Sequence, residues 1–183
     1  MSTTRALAAL FAVATMTLAG CGGSDGGGTA EPQSPITNED VPAMDITQLP
    51  DIDAANAQML ELLDRVLAEV TRLVPASAPW NIEVEASFGG CERDGQQGVT
   101  AYLPKWYSPR PFTPEEWAVA LPAVQRLAAD AGLTDSSAMQ DSGQDHDVRF
   151  NSADGRELVF GSMEASLITG TIACRLEAGD NAP

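Results

Sequence analysis

The sequence predicts an α+β domain: two helices packed on one face of an antiparallel sheet of about five strands, in the order α-β-β-α-β-β-β. Three observations carry this reading. Residues 51–74 repeat apolar side chains at spacings of three and four, the period of a helix with one buried stripe. Residues 80–88 and 146–150 instead alternate apolar and polar side chains, the period of a half-buried strand. Between them, Thr113-Pro114-Glu115-Glu116 lays out a helix start in which the threonine and the second glutamate each accept from the other's backbone amide. Strands joined by short turns pair antiparallel, and helices that interrupt such hairpins cover one face of the sheet.

Each element follows from its residues. The first helix shows Met59, Leu60, Leu63, Val66, Leu67, Val70, Leu73 and Val74 along one stripe; Asp51 or Asp53 caps its start and Pro75 ends it. In 80–88, Trp80, Ile82, Val84, Ala86 and Phe88 are expected to face a core, with Glu83 and Glu85 toward water. Residues 89–95 read as a turn and 99–103 as the returning strand. In the second helix Thr113 is the N-cap, Pro114 fills the first position, and Phe112 and Trp117 form a hydrophobic staple. Trp117, Leu121, Val124, Ala128 and Ala131 then line one face, Gly132 stops the helix, and Pro122 forfeits a hydrogen bond inside it, so a kink is expected there. Residues 134–144 read as a polar loop. His146, Val148 and Phe150 alternate with Asp147 and Arg149 in the next strand. Asp154-Gly155 then turns the chain into a strand at 157–162, and 165–176 is the last.

Ahead of this domain, Arg5, an acid-free apolar run at 6–18 and Leu18-Ala19-Gly20-Cys21 read as a secretory leader ending in a lipobox. The run is shorter than the roughly 20 apolar residues that span a bilayer. Cys21 is therefore the expected lipidation site, carrying palmitate-type acyl chains, and the mature chain would start there. The organisation is a signal peptide at 1–20, a lipidated Gly-, Pro- and acid-rich linker at 21–50, one domain at 51–178 and a tail at 179–183. The linker's composition is that of a flexible tether. The expected location is the extracytoplasmic face of the cell membrane, held by lipid.

The formal net charge of −16, with Lys105 the only lysine, opposes contact with nucleic acid. With Cys21 acylated, Cys91 and Cys174 remain as an even pair on the oxidising side of the membrane. A disulfide is expected, two buried thiols being the alternative. Neither has a CxxC spacing or a nearby histidine that would point to a metal.

The candidate chemistry is sparse. His146, the only histidine, lies between Asp145 and Asp147, but neighbours on a strand point to opposite faces, so neither shares its side. It reads as a partly exposed residue at a strand start. No nucleophile elbow, HExxH or SxxK pattern accompanies it. Asp141, Asp145 and Asp147 cluster with Gly143, without the spacing of a calcium loop. Lys105, Trp106, Tyr107 and Arg110 are the one concentration of aromatic and basic residues, and read as a binding loop, or else as aromatics tucked under the second helix. The function expected is non-catalytic binding of an envelope protein or glycolipid, on the sheet face away from the helices or in a groove beside 105–111. No cofactor and no metal are expected. The alternatives are a small hydrolase using His146 and a purely structural envelope component.

The lipobox, the helix ending near a proline, the Trp80 strand with Cys91 after it, Phe112-Thr113-Pro114-Glu115, the Asp-Val-Arg-Phe strand and the closing Ile-Thr-Gly-Thr-Ile-Ala-Cys occur in a telling order. With them the chain resembles the LppA-like lipoproteins of mycobacteria and related actinobacteria. The resemblance runs from the first helix to Cys174. It implies an envelope lipoprotein of unassigned function and brings no catalytic residues with it.

Overall fold

Two helices lie on one side of a single antiparallel sheet in the computed structural model, which describes residues 44–179. The lipidation site and most of the linker lie outside the described residues. Helix α1 (Ile52–Leu73) starts where the Asp51 carboxylate accepts from the Ala54 amide at 2.8 Å. Of the expected stripe it buries Met59, Leu63, Val66 and Val70; Leu60, Leu67 and Leu73 are only half-buried, and Leu62, which the stripe omitted, is buried as well. A 3-10 turn just ahead of it buries Ile46, so the packed chain begins before residue 51. Helix α2 (Pro114–Asp130) carries the complete capping box: Thr113 Oγ1 accepts from the Glu116 amide, and Glu116 Oε2 accepts from the Thr113 amide at 2.9 Å. The Phe112 and Trp117 rings meet at 6.1 Å between centroids, as the staple requires. The helix runs through Pro122 and stops before Gly132, whose φ of +87° is the left-handed conformation of a helix C-terminus.

The strands are β1 (Asn81–Val84), β2 (Ser87–Arg93), β3 (Gln96–Tyr102), β4 (Lys105–Ser108), β5 (Asp135–Ser142), β6 (Asp145–Asn151), β7 (Arg156–Ser162) and β8 (Ser166–Arg175). Their order is β1-β4-β8-β7-β6-β5, with β2 paired to β3 and β3 also paired to β8. The sheet thus has eight strands rather than about five, for three physical reasons. The expected strand at 80–88 is broken at residues 85–86, and its second part continues through Cys91, so the turn is only Asp94-Gly95. Residues 105–108, expected as a loop, form β4, separated from β3 where Leu103 donates to the Gly170 carbonyl and Pro104 has no amide to donate. Residues 135–142, expected as a polar loop, form β5, whose pairing with β6 needs no apolar side chain of its own. In effect β1 and β2 share one lane of the sheet, and β3 and β4 share the next, against β8.

Between helices and sheet, Leu158 and Phe160 of β7, Ile168 and Ile172 of β8, and Val148 and Phe150 of β6 meet the helical stripes in one core. Burying each such side chain is worth roughly 1.5–3 kcal/mol. The first expected strand departs from its pattern here. Ile82, Val84 and Phe88 are 40%, 52% and 56% exposed, because β1 and β2 are edge strands with no strand on their outer side. Cys91 of β2 and Cys174 of β8 form the disulfide, with Cα atoms 5.8 Å apart. Among the described residues, no helix is long and apolar enough to cross a membrane.

Candidate functional site

Two adjacent rows of the sheet, on opposite faces, hold most of the residues singled out from the sequence. The first runs across the register Ser108–Ser166–Ser162–His146–Asp141, one residue from each of β4, β8, β7, β6 and β5. It lies two residues along from Trp106, Ile168, Phe160 and Val148, so it faces the helices. All but Asp141 are buried. Each serine fixes backbone in the approach to α2 or beside it: Ser108 donates to the Ser77 carbonyl at 2.6 Å, Ser166 donates to the Arg110 carbonyl at 2.9 Å, and Ser162 accepts from the Phe112 amide at 2.8 Å.

His146 is 6% exposed, not partly open, since Trp117 stacks on both its ring, at 4.2 Å, and that of Phe160, at 4.7 Å. Its Nδ1 bonds to Asp141 Oδ1 at 2.6 Å, while Nε2 is buried with no hydrogen-bond partner among the described residues. Neither Asp145 nor Asp147 pairs with it, as the alternation rule requires. Asp141 was not identified as the partner because 134–144 reads as a loop. The available signal was Gly143-Gln144, a two-residue turn that brings 141 opposite 146.

The second row, Tyr107–Leu167–Gly161–Asp147, lies on the opposite face and floors a groove of about 730 Å³. Glu83 and Lys105 stand at one side, Asp145 at the other, and Met163, Glu164 and Ala165 of the β7–β8 turn form its lip. Lys105 is paired with Glu83 at 2.7 Å. The groove sets the Tyr107 ring and the Met163 and Leu167 side chains among carboxylates. Gly161, Met163 and Leu167 escape sequence reasoning because only the β7–β8 hairpin brings them beside Tyr107.

The four residues read as one binding loop are therefore divided by the alternation of β4. Lys105 and Tyr107 line the groove, whereas Trp106 turns the other way and packs on the core. Arg110 is a clamp: Nε donates to the Ala76 carbonyl and Nη1 to the Pro111 carbonyl, both at 2.8 Å, and Nη2 pairs with Glu116 at 2.5 Å. That hydrogen bond from Arg110 holds the Glu116 carboxyl below its usual range against the opposing effect of burial. Asp141, Asp145 and Asp147 sit on two paired strands instead of a loop. Among the described residues no group of histidine, cysteine or carboxylate side chains has the arrangement of a metal site.

Two solved structures resemble this fold. One is that of the putative lipoprotein LppA from Mycobacterium tuberculosis, 15% identical, at a TM-score of 0.54 over 72% of this chain and 82% of that one. The other is a DUF4853 family protein from Actinomyces odontolyticus, 14% identical, at a TM-score of 0.47 over 74% of each chain. No curated protein sequence matches. The family model for LppA, described as a lipoprotein confined to pathogenic Mycobacterium, matches residues 29–178. Lipoproteins of this kind are associated with the membrane or envelope. With a match over most of its length, from within the expected linker to just past the last strand, the chain belongs to the LppA family of lipoproteins.

Proposed function

We propose that this protein is a lipid-anchored binding module on the extracytoplasmic face of the membrane, tethered through Cys21 and the linker at 21–50. Its domain, 51–178, presents the Tyr107 groove to an envelope protein or glycolipid. The observation that carries the proposal is the groove itself. It sets the exposed Met163 and the side chains of Tyr107 and Leu167 within a polar rim, on the sheet face that the helices leave open. A concave site with an apolar floor and few polar groups is the usual form of a ligand site. The acidic rim fits a proton-donating or basic partner and not nucleic acid.

The hydrolase reading draws on the His146–Asp141 pair. Against it, Nε2 meets no nucleophile, Ser162 is fully buried on the Phe112 amide, and Trp117 covers the ring. A general base needs hydrogen-bond reach to the proton it takes. Binding without catalysis accounts for the arrangement better.

Two variants test the proposal. Radiolabelled palmitate is expected to label the full chain and not Cys21→Ala; label that persists in Cys21→Ala overturns the anchor. Tyr107→Ala is expected to abolish recovery of the partner from solubilised native membranes at an unchanged thermal midpoint. Undiminished recovery overturns the groove.

A further inference from the structure

We infer that the open sheet face takes a neutral, linear oligosaccharide lying along β8 and stacked on Tyr102 and Tyr107. The inference rests on the role proposed for the groove and deepens it: the site runs on along the sheet, and the ligand class is a glycan. On β8, Thr169 and Thr171 follow Leu167 of the groove floor on the same face, because alternate residues of a strand share a side. Tyr107 stands opposite Leu167, and Tyr102 opposite Thr171. These are the chain's two tyrosines. Since β3 and β4 share one lane, both rings flank β8 on the same side, about 13 Å apart at a rise of about 3.3 Å per residue. Tyr107 is half-buried and Tyr102 is 54% exposed.

On the far side of β8 the same three rows end in polar side chains. They continue as Gly161–Asp147, Val159–Arg149 and Glu157–Asn151 across β7 and β6. Arg149 pairs with Glu157 at 3.3 Å and lies 3.7 Å from Asp147. The strip is therefore aromatic along one side and polar along the other, with the small side chains of Thr169, Thr171 and Val159 between them.

A pyranose ring has the same two sides. Its C–H face stacks on an aromatic ring, and its hydroxyl edge both donates and accepts hydrogen bonds. The Glu157 carboxylate, the Arg149 guanidinium and the Asn151 amide offer acceptors and donors to that edge. Two rings well apart along one lane favour a chain of repeated sugars over a single one. Charge selects a neutral chain. Arg149 sits between two carboxylates and Lys105 pairs with Glu83 at 2.7 Å, so cations on this face are already matched in a chain of net charge −16. That net charge repels a polyanion. A folded protein partner seats its anchors around an apolar centre, whereas the centre of this strip is threonine. An extended peptide finds no free strand edge on a sheet face.

Calorimetric titration of the full-length chain tests the proposal. The probes are three neutral hexaoses (β-linked glucose, α-linked glucose and α-linked mannose), the disaccharide of each, and a hexamer of galacturonic acid. At least one neutral hexaose is expected to bind at least about tenfold tighter than its disaccharide and than the acidic hexamer. Tyr102→Ala and Tyr107→Ala are each expected to weaken it about tenfold at an unchanged thermal midpoint, and Tyr102→Trp, which keeps an aromatic face, to retain it. Absence of binding by all three hexaoses, equal binding of a disaccharide or of the acidic hexamer, or indifference to Tyr102→Ala overturns the proposal. The groove's own role is read separately. A native partner whose recovery still depends on Tyr107, survives periodate cleavage of sugar diols and is lost to protease overturns the glycan and leaves the groove as a protein site.

Discussion

Replacing Cys91 and Cys174 together by alanine is expected to lower the free energy of unfolding by about 4–5 kcal/mol, the loop-closure entropy of a long crosslinked segment. The two residues are 83 apart in sequence, so the bond removes many conformations from the unfolded chain. It also acts at an edge of the sheet. Strand β2 pairs only with β3, and the disulfide ties it across β3 to β8. The crossing is possible because Gly98, opposite Cys91, has no side chain: a Cβ there would collide with the Arg175 carbonyl and lie 3.2 Å from Cys174 Sγ. Urea unfolding with and without reductant checks the prediction, as a fall in the extrapolated free energy of unfolding with a steeper slope, because the chain without the crosslink exposes more surface when it unfolds. A loss of less than about 1 kcal/mol, within the range of an ordinary point mutation, contradicts it.

Asp154→Asn is expected to cost about 3–5 kcal/mol, because it removes the counter-charge of a buried guanidinium. Arg175 is fully buried at the end of β8. Its Nη1 donates to the carbonyls of Ala173 and Cys174, its Nη2 donates to the Asp154 carbonyl at 2.5 Å, and the Asp154 carboxylate lies 3.4 Å from Nη2. Burial pushes Arg175 below its ordinary value, against the attraction of Asp154, yet an arginine stays protonated at neutral pH. Asp154 also receives Arg156 Nε at 3.0 Å and the Ser152 hydroxyl. Burial pushes its carboxyl up, but Ser152, Arg156 and Arg175 outweigh that and hold it below the ordinary 3.8. A lowered carboxyl pKa means the unfolded chain binds the proton first as pH falls. The stability it contributes is therefore complete above 3.8 and is lost as pH drops through the folded value. Asp154→Asn should lower stability at neutral pH and flatten its decline in acid. A variant as stable as the parent at pH 7 contradicts this.

The parts of the fold legible in the sequence are those whose signals are local. The α1 stripe and the Thr113–Glu116 box need no partner to be read, and the structure places both as the spacing implies. Strand β5 was hidden because Asp135–Ser142 has almost no apolar pattern; it is held by hydrogen bonds to β6, which composition does not record. Strand β4 was hidden between Pro104 and Pro109, which read as loop punctuation. The site was half legible for the same reason. Lys105 and Tyr107 stood out by residue type, but the alternation that sends Trp106 to the core follows only once 105–108 is a strand. Asp141 reaches His146, and Leu167 reaches Tyr107, only through hairpin register. At Ile82, Val84 and Phe88 the alternation was legible, but these side chains are exposed because β1 and β2 are edge strands.

The central claim is that the open sheet face holds the binding site. Site-specific photocrosslinking in the native envelope tests it most directly. A benzophenone side chain in place of Tyr107 is compared with one in place of Val119, an exposed position on α2. The account predicts a discrete protein or glycolipid adduct from position 107 and none from position 119. Adducts absent from both, or equal at both, contradict it.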